Sequence, residues 1–146
     1  MRDLGFALPS PAAPVASYAA VVLHGGLAFV SGQLPRTEHG LIKGVLSSGD
    51  DLTAAVAAAR LCAVSVLAVL NQALGDDLGR VERCLQLTGF VAAMPQFEGH
   101  SLVVNGASDL MLEVLGDAGR HARAAVGVAS LPFGVVVGIS AVFAVG

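Results

Sequence analysis

The chain has no tryptophan, a single tyrosine (Tyr18) and a single lysine (Lys43) in 146 residues. Stacking on aromatic rings and neutralising phosphates with clustered cations are common ways for a protein to hold nucleic acid. This chain has little of either, its formal charge is −3, and no basic run occurs anywhere in it. Nucleic acid is therefore not an expected partner. Cysteine is equally scarce: Cys62 and Cys84 lack any motif spacing and read as free, buried thiols. The four histidines, at positions 24, 39, 100 and 121, form no i, i+4 pair, so no metal site is expected and they read as turn or surface residues. "HGGLAFVSG" lacks the lysine and spacing of a phosphate-binding loop. No Gly-x-Ser-x-Gly elbow is present, and no Ser–His–Asp arrangement suggests itself.

Charge is the scarcest property. Charged residues make up 13% of the chain, where a soluble domain has about a quarter. After Arg123 there is none at all, through to Gly146. What fills the space is apolar: 55% of residues are hydrophobic. That is more apolar surface than one small domain readily hides, which leaves a membrane protein or an oligomer with buried interfaces. The uncharged terminal run is long enough to test as a membrane span. Gly127, Pro132, Gly134 and Gly138 interrupt it, it is rich in valine, and "SLPFG" at its middle is turn chemistry. It reads as two strands joined by a turn. The N-terminus lacks the basic-then-apolar pattern of a secretory leader. The expectation is a cytoplasmic oligomer with no membrane partner, built from one domain over residues 1–146.

Local patterns give an element order. "LPSPAAPVASY" (8–18) holds three prolines and should be extended and irregular. Two β-rich runs flank the "HGG" turn at 24–26. Asp50 and Asp51 precede the alanine-rich run 52–74, which contains no Gly or Pro and predicts a helix that Gly75 ends. Capping accounts for the first acidic pair and a post-helix turn for Asp76–Asp77. A strand follows at 81–93, a second helix at 101–116, then the two terminal strands. The order β-β-(β)-α-β-α-β-β implies right-handed crossovers and both helices on one face of a mixed sheet. In the last strand Val135, Val137, Ile139, Ala141, Phe143 and Val145 make one face. Val136, Gly138, Ser140, Val142 and Ala144 make the other, which is small but scarcely polar. A strand apolar on both sides must be covered on both sides. A neighbouring subunit is the natural second cover.

Arg123 is the one residue in this terminal region with chemistry to offer. It reads either as half of a structural ion pair with Asp109 or Glu113, or as a planar clamp for a carboxylate.

Four segments carry a family resemblance: "PVASY" ending at Tyr18, "FVSGQLP" at 29–35, "VVNGASDLM" around Asn105, and "HARAAVGVASLP" at 121–132. In this order and spacing the chain resembles the RidA/YjgF family of reactive-intermediate deaminases, in its somewhat longer subgroup often labelled endoribonuclease L-PSP. The resemblance implies a chorismate-mutase-like α+β fold, and a homotrimer with a barrel-like centre and clefts between subunits. By the same resemblance Arg123 binds a substrate carboxylate, and Tyr18, Ser31, Gly32 and Asn105 complete the cleft. Backbone groups of Ala125 face the imine nitrogen or water. The implied reaction hydrolyses 2-imino acids or enamines to 2-oxo acids and ammonia, with no metal or organic cofactor. In one respect this chain departs from the family. Its deaminases end in a strand of the pattern Val-x-Ile-Glu-x-Glu-Ala, whose second glutamate positions the water. Here Gly138 and Ser140 stand in place of the two carboxylates, and Ser140 is a poor base. A trimeric module that binds small carboxylates without catalysis is the alternative, and a ribonuclease is disfavoured by the charge and aromatic content.

Overall fold

A computed structural model describes residues 4–14 and 16–146. Strands β1 (Val21–His24) and β2 (Leu27–Gln33) form a hairpin, followed by a small ribbon of β3 (Arg36–Thr37) and β4 (Gly40–Leu41). Helix α1 (Thr53–Ala73), strand β5 (Val81–Ala92), helix α2 (His100–Leu115), and strands β6 (Ala122–Val128) and β7 (Val137–Val145) complete the chain. The main sheet runs β1-β2-β7-β5-β6. β6 lies parallel to β5, and β7 lies antiparallel to both β5 and β2. The chain therefore makes two strand–helix–strand crossings, through α1 and through α2, between strands pointing the same way.

The sequence explains where α1 begins and ends. Asp51 Oδ1 accepts from the backbone N–H of Thr53 (2.9 Å) and from its hydroxyl (2.7 Å). These bonds hold the Asp51 carboxyl below its usual pKa and occupy an N–H that the helix leaves unpaired. At the other end Gly75 turns the chain with φ +68°. α1 is the one helix among the described residues long and apolar enough to cross a bilayer. Ten of its residues, from Ala55 to Leu70, are buried in the core. The two helices cross where Gly106 of α2 lies against the carbonyl of Val56 in α1, and a Cβ on Gly106 would collide with that backbone.

The terminal run is two strands, as its valines and its turn suggest, but they are not neighbours. β5 lies between β6 and β7, and Pro132–Gly134 is a short 3-10 turn that carries the chain past it. Val137, Ile139, Ala141 and Phe143 face the helices and are buried, alongside Leu87 and Val91 of β5 and Ala28 and Val30 of β2. The other sheet face carries Val22, Phe29 and Val142 in one row, Ser140, Thr88 and Ala124 in the next, and Gly138, Phe90 and Val126 in a third. In the single chain Phe29 is 45% and Val126 43% exposed.

Both thiols are free and buried, Cys62 on α1 and Cys84 on β5. Burial pushes both thiols up in pKa, that of Cys84 to about 12.

Candidate functional site

Along β6 Arg123, Ala125 and Gly127 stand in register with Leu87, Gly89 and Val91 of β5, so they lie on the helix-covered face. α2 runs over them. Positions 101, 105 and 108 of a helix share one face, and here that face meets Arg123. Arg123 Nη1 donates to Asn105 Oδ1 at 2.8 Å and to Ser108 Oγ at 3.0 Å. Its Nη2 donates to the Ser101 carbonyl at 3.2 Å.

Neither ion-pair partner considered for Arg123 is used. Glu113 is held instead by Arg60 of α1 through two bonds, 3.1 and 2.9 Å long. That pair lowers the Glu113 pKa and raises that of Arg60. Among the described residues Arg123 has no carboxylate within ion-pair distance. A guanidinium has five N–H donors. Three are taken by neutral acceptors, and Nε–H and one Nη2–H have no acceptor among the described residues. The arginine is thus half-buried, aimed by the fold, uncompensated in charge, and left with donors to spend. That is the donor set a carboxylate uses.

The other expected site residues lie elsewhere in the chain. Tyr18 and Gly32 line a cavity of about 360 Å³. Its walls are the proline-rich segment 9–14, the end of β2, the β3–β4 ribbon, α1 at Ser65, Ala68 and Val69, and Phe133. Ser31 is beside it, with its hydroxyl donating to the Ala19 carbonyl at 2.7 Å. β7 and β5 lie between β2 and β6, three interstrand steps or roughly 14 Å. Within one chain Arg123 and Asn105 form one group, and Tyr18, Ser31 and Gly32 form another. Ser140 belongs to neither. It pairs with Thr88, which pairs with Ala124, and so it faces the sheet side opposite to Arg123. Gly138 is on that same side.

Several polar residues at these places were not singled out from sequence. Ser108 and His121 stand behind Arg123, and Ser65, Arg36 and Glu38 line the cavity. His121 is not a surface histidine: it is half-buried, bonded to Ser108 Oγ and to the Gly119 carbonyl. The available signal was period two, since 121, 123 and 125 fall on one face of a strand. No group of three or more metal-ligating side chains comes together among the described residues.

The mixed five-stranded sheet backed by two helices is the YjgF/chorismate-mutase-like α+β fold. The sequence profile of the family described as "YjgF/chorismate mutase-like, putative endoribonuclease" matches residues 2–144, and the chain belongs to that family. It is similar to Protein TCP17 of Trypanosoma cruzi, with 47% identity over 97% of this chain and 89% of that one. Among solved structures it resembles a protein of unknown function from Agrobacterium tumefaciens, with 45% identity, 98% and 88% coverage and a TM-score of 0.88. It also resembles a "putative endoribonuclease" from Shewanella oneidensis, with 29% identity, 97% and 93% coverage and a TM-score of 0.89.

Proposed function

We propose that this protein binds small 2-imino or enamine carboxylates at Arg123 and hydrolyses them to the 2-oxo acid and ammonia. The observation that carries the reading is an arginine held in place by neutral acceptors, with no acidic partner and two N–H groups unspent. A carboxylate would replace the missing counter-charge through two charge-assisted hydrogen bonds. In the bound iminium the C=N carbon is electrophilic. Water adds to it, a proton passes to nitrogen, and the C–N bond breaks to leave ammonium and the 2-oxo acid. The enzyme's part is to hold substrate and water together.

The catalytic cleft in this proposal lies between two copies of the chain. Tyr18, Ser31 and Gly32 cannot reach Arg123 of their own chain, and an uncovered apolar sheet face offers a place for a neighbour. A homotrimer of the family kind would bring the Arg123–Asn105 edge of one subunit towards the Tyr18 cavity of the next. Ala125, two residues beyond Arg123 on the same face, would offer backbone groups to the imine nitrogen or water. Endoribonuclease chemistry is not part of the proposal, because the chain is acidic and has one lysine.

A second reading has its own observation. No charged residue follows Arg123, so the terminal strand supplies no carboxylate base. Ser140 is the only hydroxyl of β7, and it faces away from Arg123 of its own chain. Loss of a general base costs about 10²–10⁴ in rate, and a site so stripped could bind carboxylates without turning them over. Freshly generated 2-iminobutanoate separates the two readings. Ammonia release faster than buffer, lost in Arg123→Ala, supports the hydrolase. Release no faster than buffer at high protein concentration, with 2-oxobutanoate still bound in calorimetry, leaves the binding module.

A further inference from the structure

We propose that Ser108 and His121 are positioning residues that fix the guanidinium plane of Arg123 through a hydrogen-bond chain with a single allowed direction. The inference rests on the reading of Arg123 as a carboxylate clamp and adds how that clamp is held.

The direction follows from donor and acceptor counting. His121 Nδ1 lies 2.6 Å from the Gly119 carbonyl oxygen. A carbonyl only accepts, so Nδ1 carries the hydrogen, and in the neutral ring Nε2 is then an acceptor. Ser108 Oγ is 2.9 Å from Nε2 and must spend its one hydrogen there. The lone pairs left on Ser108 accept Arg123 Nη1–H at 3.0 Å. The second Nη1–H goes to Asn105 Oδ1 at 2.8 Å, and an Nη2–H goes to the Ser101 carbonyl. With the ring neutral, reversing any one bond leaves two donors or two acceptors facing each other.

Two further observations make the chain rigid. Ser108 is buried, 9% exposed, and a buried hydroxyl is costly unless it is hydrogen-bonded. Gly119, which anchors the far end, is packed so that a Cβ would strike the Met111 carbonyl of α2. Ser101, Asn105, Ser108 and the seat of Gly119 all belong to α2, so one helix sets every contact that orients the arginine. A guanidinium pinned in this way does not have to be ordered when a carboxylate arrives, and affinity gains what ordering would have cost.

The test has two arms. Long-range proton–nitrogen NMR on the ligand-free protein should find His121 as the Nδ1–H tautomer, and the Nε2–H tautomer would overturn the chain. Calorimetry with 2-oxobutanoate should show roughly tenfold weaker binding in Ser108→Ala and His121→Ala. His121→Gln, whose Oε1 can accept from Ser108, should bind within about twofold of wild type. Melting temperatures are recorded for each variant. Wild-type affinity in Ser108→Ala and His121→Ala sinks the proposal. So does equal loss in His121→Ala and His121→Gln, because a merely structural histidine would not be rescued by glutamine. If Ser108→Ala does not fold, the His121 pair decides alone. If wild type does not bind 2-oxobutanoate, or Arg123→Ala binds as well as wild type, the clamp reading itself fails and the functional half of this proposal falls with it. The tautomer then still judges the hydrogen-bond chain.

Discussion

Arg60 and Arg123 both reach across to α2, Arg60 from the neighbouring helix and Arg123 from the edge strand of the sheet. Arg60 meets Glu113 head-on with two hydrogen bonds, in a pair whose side chains are 43% and 58% exposed. Arg123 meets an amide, a hydroxyl and a carbonyl. The same side chain thus plays two parts on one helix. Where the partner is a carboxylate, charge is cancelled and the contact ends at the protein surface. Where the partners are neutral, geometry is fixed but the charge is left uncompensated. Counting hydrogen bonds puts Arg123, with three, ahead of Arg60, with two, whereas counting charge leaves only Arg60 compensated.

The sharpest way to break this comparison is to remove the uncompensated charge. Arg123→Ala should weaken 2-oxobutanoate binding ~100-fold, within the ~2–5 kcal/mol typical of losing one partner of a desolvated charged contact. Calorimetry reads this directly. A subtler change converts Arg123 into a second Arg60. Asn105→Asp places a carboxylate where Oδ1 now sits, with almost no change in volume. Binding should fall by about 30-fold because the arginine's charge is already compensated, while the melting temperature holds or rises. Unchanged affinity in that variant would mean that charge is not what the site recognises. The converse change touches only stability. Glu113→Gln should leave ligand affinity within about twofold and lower the melting temperature only slightly, as exposed pairs do. The smallest effect is its pH dependence. The Glu113 carboxyl is held below its ordinary value of 4.5 by Arg60. Its contribution is therefore present above pH 4.5 and is lost as pH falls through the lowered value. The melting-temperature gap between wild type and Glu113→Gln should close on acidification.

Much of this was legible in the residues. The run 52–74 had to be a helix because it contains no Gly or Pro and exceeds any ordinary strand. Alternation in 137–143 divided the last strand into its two faces, though it did not show which of them the helices cover. Family likeness in four short segments gave the fold class. Two things were not legible. The adjacency of β6 and β7 in sequence says nothing of β5 passing between them, because strand order is a tertiary choice. The company of Arg123 was hidden for the same reason. Asp109 and Glu113 are the acidic residues of α2, yet Asn105 and Ser108 face the strand and Glu113 turns towards α1. Which helix face meets β6 depends on how α2 crosses α1 at Gly106, a packing fact that no local pattern encodes. His121 illustrates the cost: read by residue type it is a surface histidine, and read by strand period with Arg123 it is a neighbour of the site.

The two buried cysteines have a consequence for chemical durability. Imines and the oxo acids they yield attack or capture protein nucleophiles, and the usual targets are thiolates and lysine amines. Cys62 and Cys84 are shut inside the core with their ionisation suppressed, and a thiol that does not ionise is a poor nucleophile. Lys43 is the only lysine side chain. Under the proposed function, a chain built this way offers its own ligands almost nothing to modify.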